Sequence, residues 1–421
     1  MQTNIHPELA ARADVIEADD ILRSCVHCGF CTATCPTYQL LGDELDGPRG
    51  RIYLIKNLLE DNAITPDSAV HLDRCLTCRA CETTCPSGVR YGRLLDIGKG
   101  LIAEQGVSTR WDKRVITRLL RIVVPNAYLF GPLLQVGQWF RPLLPRSLSR
   151  HIPRISTKTY PASIPLSMDT VPTRRILVLQ GCVQKSATPQ VNRALSHLLG
   201  LHHVATEFLV EESCCGSLDH HLAAHDAALV RMRRLIDQLE PRLAQVDAIV
   251  STASGCGVTL KEYPDLLRAD PVYGPKAALI HAKLMDVSEL LRDYSFNCRP
   301  ARVAFHAPCT LQHGQKITGI VEQILSAAGF QLSVVQDSHL CCGSAGTYSI
   351  LQADLSVKLL ENKLLSLQAQ LPEFIATANI GCQLHLQSAA DVPVVHWVEL
   401  LADHLLPQTA TLGSDTTDTI S

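Results

Sequence analysis

The chain has 421 residues, 46% of them hydrophobic, and a formal net charge of −3 at pH 7. This length accommodates roughly two or three domains with cores of their own, and the lack of a basic surplus argues against nucleic-acid binding. The 17 cysteines would suggest a disulfide framework in a small secreted protein, but this chain is long and opens with MQTNIHPELA, which has neither the basic nor the apolar part of a signal peptide. We therefore expect a cytoplasmic protein whose thiols stay reduced.

Two copies of one cysteine motif lie in the first 108 residues. Residues 25–36 and residues 75–86 both read CxxCxxCxxxCP. Three thiolates at this close spacing can bind three irons of a [4Fe-4S] cube, and in this bacterial-ferredoxin pattern the fourth cysteine binds the cluster of the other run. We assign one [4Fe-4S] cluster to Cys25, Cys28, Cys31 and Cys85, and a second to Cys75, Cys78, Cys81 and Cys35.

Structural zinc is the alternative for these two runs, because CxxC pairs also bind zinc. Zinc sites usually separate their pairs by about a dozen residues or more, whereas here four cysteines fall within 11 residues, twice. Helices are predicted for His6–Arg23 and Pro48–Asp61, the second with an apolar stripe. Residues 1–108 are therefore expected to form an α-helical ferredoxin domain with two clusters.

A basic, proline-rich linker is predicted for residues 109–173. The segment from Arg110 to Arg150 contains eight basic residues but only one acidic residue, Asp112, and aromatic residues are interspersed. Such a stretch is typical of a connector between domains or of a segment that lies on a membrane surface. The prolines favour an extended connection, and the glycines and prolines between residues 122 and 140 argue against a membrane-spanning helix.

An internal repeat follows from residue 174 onward. Its cysteine and glycine landmarks are Cys182, Cys214, Cys215, Gly216 and Cys256 in the first copy, and Cys309, Cys341, Cys342, Gly343 and Cys382 in the second. The spacing from the first cysteine to the vicinal pair is 32 residues in both copies, and the spacing onward to the last cysteine is 41 and 40 residues. We place the copies at residues 174–297 and 298–407, followed by a polar tail, 408–421, that is predicted to be disordered.

Each copy alternates short β-branched segments with helical ones. Predicted strands such as Arg175–Leu179 and Ala301–Phe305 alternate with predicted helices such as Leu218–Leu239 and Ile317–Ala328. This alternation indicates βαβ units and a parallel sheet, with cysteines near the carboxyl ends of strands. The expected fold is thus an α+β multidomain protein, in which an α-helical di-cluster ferredoxin domain precedes two repeated α/β modules.

The two repeats resemble the cysteine-rich CCG modules of heterodisulfide reductase subunits. That family's pattern ends in CxxC, and here its last position holds Thr259 in the first copy and His385 in the second. Each copy offers four thiols, so one or two further clusters are expected, with zinc or free thiols as the alternatives. The second copy, which contains His306-Ala-Pro-Cys309, is the stronger candidate. His385 is read as a ligand, a hydrogen-bonding partner of one, or a plain surface residue, and Cys298 as a buried thiol.

No glycine-rich dinucleotide loop follows a predicted strand, and no flavin site is recognisable. A protein that carries clusters without an organic redox cofactor receives its electrons from another chain. The chain is therefore expected to be a subunit of a larger complex.

From residue 25 to residue 397 the chain resembles the iron–sulfur subunits of glycolate oxidase, also called glycolate dehydrogenase. The resemblance is carried by residues 25–38, 42–52, 75–89, 341–348 and 379–382. It implies flavoprotein partner subunits that oxidise a 2-hydroxy acid, glycolate, to glyoxylate, and no substrate site on this chain. It also implies electron transfer to a membrane acceptor, a quinone, from a peripheral position on the cytoplasmic side of the inner membrane.

Three alternatives remain open at this point. Iron–sulfur subunits of lactate-utilisation and anaerobic glycerol-3-phosphate dehydrogenase systems share the same architecture. A thiol–disulfide reductase of the CCG type would act by itself, without a flavoprotein. A zinc-stabilised interaction scaffold would be colourless.

Overall fold

A computed structural model describes residues 1–107, 111–145, 149, 152–153, 158–160 and 172–407. Residues 1–107 form helices joined by turns and irregular segments. The helices are Ala13–Ser24, Pro36–Leu41, Pro48–Asp61, Pro66–Asp73, Ala80–Thr84 and Tyr91–Glu104, with short 3-10 turns at Phe30–Thr32 and Glu44–Asp46. Three of the helices start at a proline, which suits the first position because the amide there has no partner within the helix.

The helix predicted between the two cysteine runs is confirmed over Pro48–Asp61, and its residues Ile52, Ile55, Leu58 and Leu59 are buried. They pack in one core with the helix Tyr91–Glu104. The helix predicted from His6 to Arg23 begins only at Ala13, because Arg12 has extended backbone angles (φ −77°, ψ 130°).

Two helices, Trp111–Val123 and Ala127–Phe140, occupy part of the predicted linker. Most prolines that suggested an extended chain lie beyond residue 140, and the Asn126 side chain caps the second helix by accepting from Tyr128 N at 3.1 Å. The extended conformation predicted there is thus wrong for residues 111–140. Among the described residues no single helix is long and apolar enough to cross a membrane; Lys113–Val123 and Ala127–Leu143 pass that test only as a pair, bent by 108°.

Two four-stranded parallel sheets follow, and they have the same topology. The first contains β1 (Arg174–Leu179), β2 (Val204–Glu207), β3 (Ala248–Ser251) and β4 (Leu284–Asp286) in the order β2-β1-β3-β4. The second contains β5 (Arg302–His306), β6 (Gln331–Leu332), β7 (Phe374–Thr377) and β8 (Val394–His396) in the order β6-β5-β7-β8. The predicted parallel sheets and the predicted repeat are confirmed.

Helices connect the strands in both modules. In the first module they are Gln184–Ala187, Gln190–Gly200, Ser217–His221, His225–Leu239, Ser254–Lys261, Tyr263–Leu266, Tyr273–Lys283 and Val287–Leu291. In the second they are Ile320–Ala327, Tyr348–Leu351, Ala353–Gln368, Ile380–Gln387 and Trp397–His404, preceded by a π-turn at Thr310–Gly314. The helix predicted over Leu218–Leu239 is interrupted at Ala223, which has φ +57°. The one predicted from Ile317 starts at Ile320, because Gly319 has φ +74°.

The two modules share one hydrophobic core. It contains Ile176 and Val178 from the first sheet, Val303 and Phe305 from the second, and the fully buried Trp397. The domain boundaries at residues 108, 173 and 297 stay a prediction. The predicted disordered tail, 408–421, lies outside the described residues.

Candidate metal centres

The first cavity of the ferredoxin region is lined by Cys25, Cys28, Cys31 and Cys85, together with Cys81. Its volume is about 460 Å³. Three of the thiols come from the first run and one is the fourth cysteine of the second run, as the crossed assignment requires. Burial raises the pKa of Cys31 to about 11.

A second cavity, of about 290 Å³, is lined by Cys35, Cys75, Cys78 and Cys81. The structure therefore brings the fourth cysteine of the first run to the thiols of the second. Burial raises the pKa of Cys78 and Cys81 well above the usual range of a thiol. Four thiols around one cavity match the donor set of a [4Fe-4S] cluster.

The two loops have the same backbone shape. His27 (φ +56°) and Gly29 (φ +84°) in the first run correspond to Thr77 (φ +54°) and Arg79 (φ +62°) in the second. Left-handed residues at alternate positions curl each loop around its thiols, and glycine adopts this conformation most readily. Arg79 adopts it without that freedom, and its guanidinium forms an ion pair with Glu262 in the first module.

A buried arginine stands beside the second cavity. Arg51 is 1% exposed and donates to His71 O at 2.7 Å, to Thr37 Oγ1 at 3.0 Å and to Asp46 Oδ1 at 3.4 Å. Burial alone would lower the pKa of Arg51, but the neighbouring Cys75 raises it, so the guanidinium stays charged. This charge offsets the negative charge of thiolates that bind a cluster.

The second CCG module assembles its predicted thiols at the carboxyl ends of β5 and β7. Cys309 Sγ and Cys341 Sγ are 4.0 Å apart. Cys342 Sγ, Cys382 Sγ and a ring nitrogen of His306 all lie within 4.8 Å of one another. Burial lowers the pKa of His306 well below its usual range, so the ring is neutral.

Two further side chains clarify this site. His385 Nε2 lies 3.2 Å from Ser356 Oγ, and His306, not His385, belongs to the three-ligand group with Cys342 and Cys382. Lys363 is 4% exposed and donates to Asp337 O at 2.9 Å and to Ser338 O at 3.3 Å. Burial lowers the pKa of Lys363, and the nearby Cys342 and Cys341 act to raise it.

The glycine after each vicinal pair is required by close packing behind the site. A Cβ atom on Gly343 (φ +89°) would lie 2.7 Å from Ser356 O, and one on Gly216 (φ +83°) would lie 2.9 Å from Ala228 O. Each vicinal pair is therefore pressed against the long helix of its own module.

The first CCG module brings its thiols together in different surroundings. Cys182 Sγ and Cys214 Sγ are 3.7 Å apart, and Cys215 and Cys256 line a cavity of about 320 Å³ with Cys182. Hydrogen bonds from Cys182 and Cys215 lower the pKa of Cys214. Glu212 lines the same cavity and accepts from Gln180 N at 2.7 Å and Gly181 N at 2.8 Å.

The missing CxxC cysteine of the first module is not replaced by a ligand. Thr259 is 1% exposed, and its hydroxyl lies 3.4 Å from Gly255 O. Cys298 is 3% exposed, and its thiol donates to Leu401 O at 3.5 Å, as expected for a plain buried thiol.

The second module lies directly against the second ferredoxin cavity. Cys341, Leu76 and Tyr348 form a buried cluster, against which Cys78 and Cys309 pack. The proximity of Cys309 contributes to the raised pKa of Cys78, after the larger effect of burial. Thiols of the ferredoxin domain and of the second module are thus neighbours across this interface.

Hydrogen bonds join the cysteine loops of the two modules. Ser254 Oγ lies 2.7 Å from Thr310 Oγ1, and Gly255 N donates to Asn379 Oδ1 at 3.2 Å. These residues are sequence neighbours of Cys256, Cys309 and Cys382. The two CCG sites therefore meet at the contact between the modules.

Sequence reasoning missed the roles of His306, Lys363 and Arg51. A signal for the first two existed in the repeat itself. The position three residues before the first cysteine is His306 in the second copy and Leu179 in the first, and the position 21 residues after the vicinal pair is Lys363 and Ile236. Such differences between copies of one fold mark residues that serve a site rather than the core.

Comparison with known families agrees with this division of the chain. The family described as "4Fe-4S dicluster domain" matches residues 21–89. The family described as "Cysteine-rich domain", CCG, matches residues 176–261 and 303–387. The chain thus carries [4Fe-4S] clusters and two CCG modules.

Similar proteins are known along the whole chain. The glycolate oxidase iron–sulfur subunit of Escherichia coli (strain K12) is 48% identical over 96% of this chain and 99% of its own length. A probable glycolate oxidase iron–sulfur subunit of Bacillus subtilis (strain 168) is 30% identical over 91% of this chain and 94% of its own. One of the fumarate reductase (CoM/CoB) subunits of Methanothermobacter marburgensis is 24% identical over 90% of this chain and 72% of its own.

Proposed function

Because the chain belongs to the family of glycolate oxidase iron–sulfur subunits, we propose that it carries electrons from flavoprotein subunits, which oxidise glycolate to glyoxylate, to a quinone in the membrane. The chain is an electron-transfer subunit of an oxidoreductase complex and is not its catalytic subunit. The substrate, its product and the acceptor are parts of the proposal.

The observation that carries the proposal is a series of adjoining thiol sites. Two cavities of the ferredoxin domain share Cys81, and the second of them borders the thiols of the second CCG module through Cys78 and Cys309. Clusters bound there would exchange single electrons, which allows a flavin that holds two electrons to be emptied in steps.

The proposed ligands are the crossed sets of the ferredoxin domain. Cys25, Cys28, Cys31 and Cys85 hold one cluster, and Cys75, Cys78, Cys81 and Cys35 hold the other. In the second module Cys309, Cys341, Cys342 and Cys382 hold a third group, and in the first Cys182, Cys214, Cys215 and Cys256 hold a further cluster or a zinc ion.

Other side chains of this protein supply hydrogen bonds and charge next to the thiols. The Tyr91 hydroxyl donates to Cys75 Sγ at 3.5 Å, and Arg51 supplies a buried positive charge beside the same thiol. Hydrogen bonds and charges of this kind set the potential at which a bound cluster accepts an electron. Tyr91 and Cys81, which line the second cavity, are also buried in the common core.

The helix pair at residues 111–143 supports a membrane acceptor. Large apolar side chains are exposed along it, among them Leu119 (56% exposed), Leu133 (55%) and Trp139 (74%). Arg114 and Arg118 are exposed on the same segment. A basic, aromatic, amphipathic surface binds to anionic lipid on the cytoplasmic face of a membrane, which favours a peripheral position there.

The electron-transfer role is tested with Cys28→Ala in the assembled complex. Glycolate should still bleach the flavin, while reduction of a dye or quinone should fall to background, because one cluster loses a ligand. Cys298→Ala is the matched control, because Cys298 is a buried thiol outside the cysteine cavities, and it should leave both reactions intact. Loss of flavin bleaching together with dye reduction would contradict the proposed division of labour. Lactate and glycerol 3-phosphate in the same assay test the substrate.

The membrane contact is tested by flotation of the complex with vesicles that contain anionic lipid. Leu133→Glu combined with Trp139→Glu should reduce co-flotation at least several-fold. Leu365→Glu changes a side chain that is 73% exposed outside the helix pair and should leave it unchanged. Equal co-flotation of the double variant and the native complex would remove the helix pair from the proposal.

A further inference from the structure

A buried histidine without a hydrogen-bond partner on one ring nitrogen lies in the second CCG module. His306 is the last residue of β5 and is 2% exposed. Within the described residues its Nε2 atom has no hydrogen-bond partner. Burial of a polar atom without a partner is unfavourable, so the atom requires an explanation.

The other ring nitrogen is held in place by the neighbouring strand. His306 lies opposite Thr377 in the register of β5 and β7, and His306 Nδ1 is 3.0 Å from Thr377 Oγ1. When Nδ1 carries the proton and donates to this oxygen, Nε2 presents a lone pair. Metal-bound histidines commonly have their second nitrogen fixed in this way.

The histidine ring is surrounded by thiols. A ring nitrogen of His306 and the sulfur atoms of Cys342 and Cys382 lie within 4.8 Å of one another, and all three residues are buried. Cys341 is bonded to Cys342 along the chain, and its sulfur is 4.0 Å from that of Cys309. Five donor side chains thus converge at the carboxyl ends of β5 and β7.

We propose that His306 Nε2 is a metal ligand in the second CCG module, in a mixed set with Cys309, Cys341, Cys342 and Cys382. The inference deepens the proposed function and rests on it, since it names a ligand of one electron-carrying site. The equivalent residue of the first module is Leu179, so the mixed set is a property of the second module.

A neutral histidine ligand affects the charge of a bound cluster and therefore its reduction potential. An imidazole beside the four thiolates, where a fifth thiolate would otherwise be needed, adds no negative charge, and histidine ligation raises the reduction potential of iron–sulfur centres. The buried ammonium of Lys363 acts in the same direction. A group held in the second module would therefore be suited to accept electrons from all-cysteine clusters in the ferredoxin domain, whose thiol Cys78 is adjacent.

Pulsed EPR of the reduced full-length protein, prepared anaerobically, tests the ligand directly. Native protein should show strong coupling of one cluster signal to a ¹⁴N nucleus, and growth on ¹⁵N-histidine should change this coupling to that of ¹⁵N. His306→Leu, which copies the first module, should abolish it, whereas His385→Gln should retain it. Absence of histidine coupling in the native protein overturns the proposal even if the His306 variant fails to fold.

A potentiometric titration gives a second readout. His306→Cys should keep the cluster but lower its reduction potential, because a thiolate adds negative charge. An unchanged potential, or ¹⁴N coupling that survives in His306→Leu, would overturn the assignment. Iron analysis separates this failure from that of the proposed function. About eight irons per chain with free thiols in the second module would refute the histidine ligand, while the Cys28→Ala assay still decides the electron-transfer role.

Discussion

Replacement of Cys35 by alanine is expected to remove the cluster of the second cysteine run, although Cys35 belongs to the first. In the structure Cys35 lines the same cavity as Cys75, Cys78 and Cys81, and Cys85 lines the cavity of the first run. Alanine is preferred to serine because a hydroxyl can replace a thiol as an iron ligand.

The size of the effect follows from which thiols share a cavity. Each cluster contains four irons, so Cys35→Ala should lose about four irons per chain. Adding Cys78→Ala, which lines the same cavity, should cause no further loss. Adding Cys28→Ala, which lines the other cavity, should raise the loss to about eight irons. An uncrossed arrangement predicts the opposite for both double variants.

The assay is iron and acid-labile sulfide per chain on anaerobically purified protein, combined with EPR of the reduced state. Cys298→Ala is the matched control, because Cys298 is buried but lies outside the cysteine cavities, and it should retain all the iron. A loss of about eight irons from Cys35→Ala with Cys78→Ala, and of about four from Cys35→Ala with Cys28→Ala, would refute crossed ligation.

Three further variants test the electrostatics. Arg51→Met leaves Asp46 buried with Arg74 and His71 as its remaining neighbours at ion-pair distance, so anaerobic urea unfolding should show a loss of about 3 kcal/mol; an unchanged midpoint would contradict this. Lys363→Met should lower the potential of the second module in a redox titration, whereas Lys363→Arg should not. Burial opposes ionisation of Asp96, but His220 lowers its pKa well below the usual range. The contribution of the Asp96 carboxylate to the stability of the fold is therefore present above about pH 4 and is lost as the pH falls through the lowered pKa of Asp96. Asp96→Asn should reduce the melting temperature at pH 5, and an unchanged melting temperature at that pH would be inconsistent with this.

Sequence reasoning predicted the features that depend on residues close together in the chain or that occur in two copies. The CxxCxxCxxxCP loops place three thiols by local backbone geometry, and both loops have left-handed residues at the same positions. The parallel sheets followed from β-branched runs alternating with helices, and the spacing of cysteines identified the repeat. Helix Pro48–Asp61 was predictable because its proline start and apolar stripe lie within one segment.

The features that it missed depend on contacts between distant parts of the chain. His306 meets Cys382 only through the pairing of β5 with β7, which no local pattern specifies. Lys363 reaches the site from the buried side of the helix Ala353–Gln368, whereas a lysine in an amphipathic helix is usually expected on the exposed side. The helices at residues 111–140 were missed because the proline content of the whole linker suggested an extended chain. Most of those prolines lie beyond residue 140.

The two CCG modules have the same topology, but the charged and polar residues around their thiols differ. In the second module Lys363 and the neutral ring of His306 border the thiols; in the first, the same positions are Ile236 and Leu179, and the carboxylate of Glu212 lines the cavity. A cation stabilises the more negative, reduced state of a bound cluster and a carboxylate destabilises it. A group held by the second module therefore accepts electrons more readily than one held by the first. Since the second module also borders the ferredoxin thiols, position and charge favour the same site as the next acceptor.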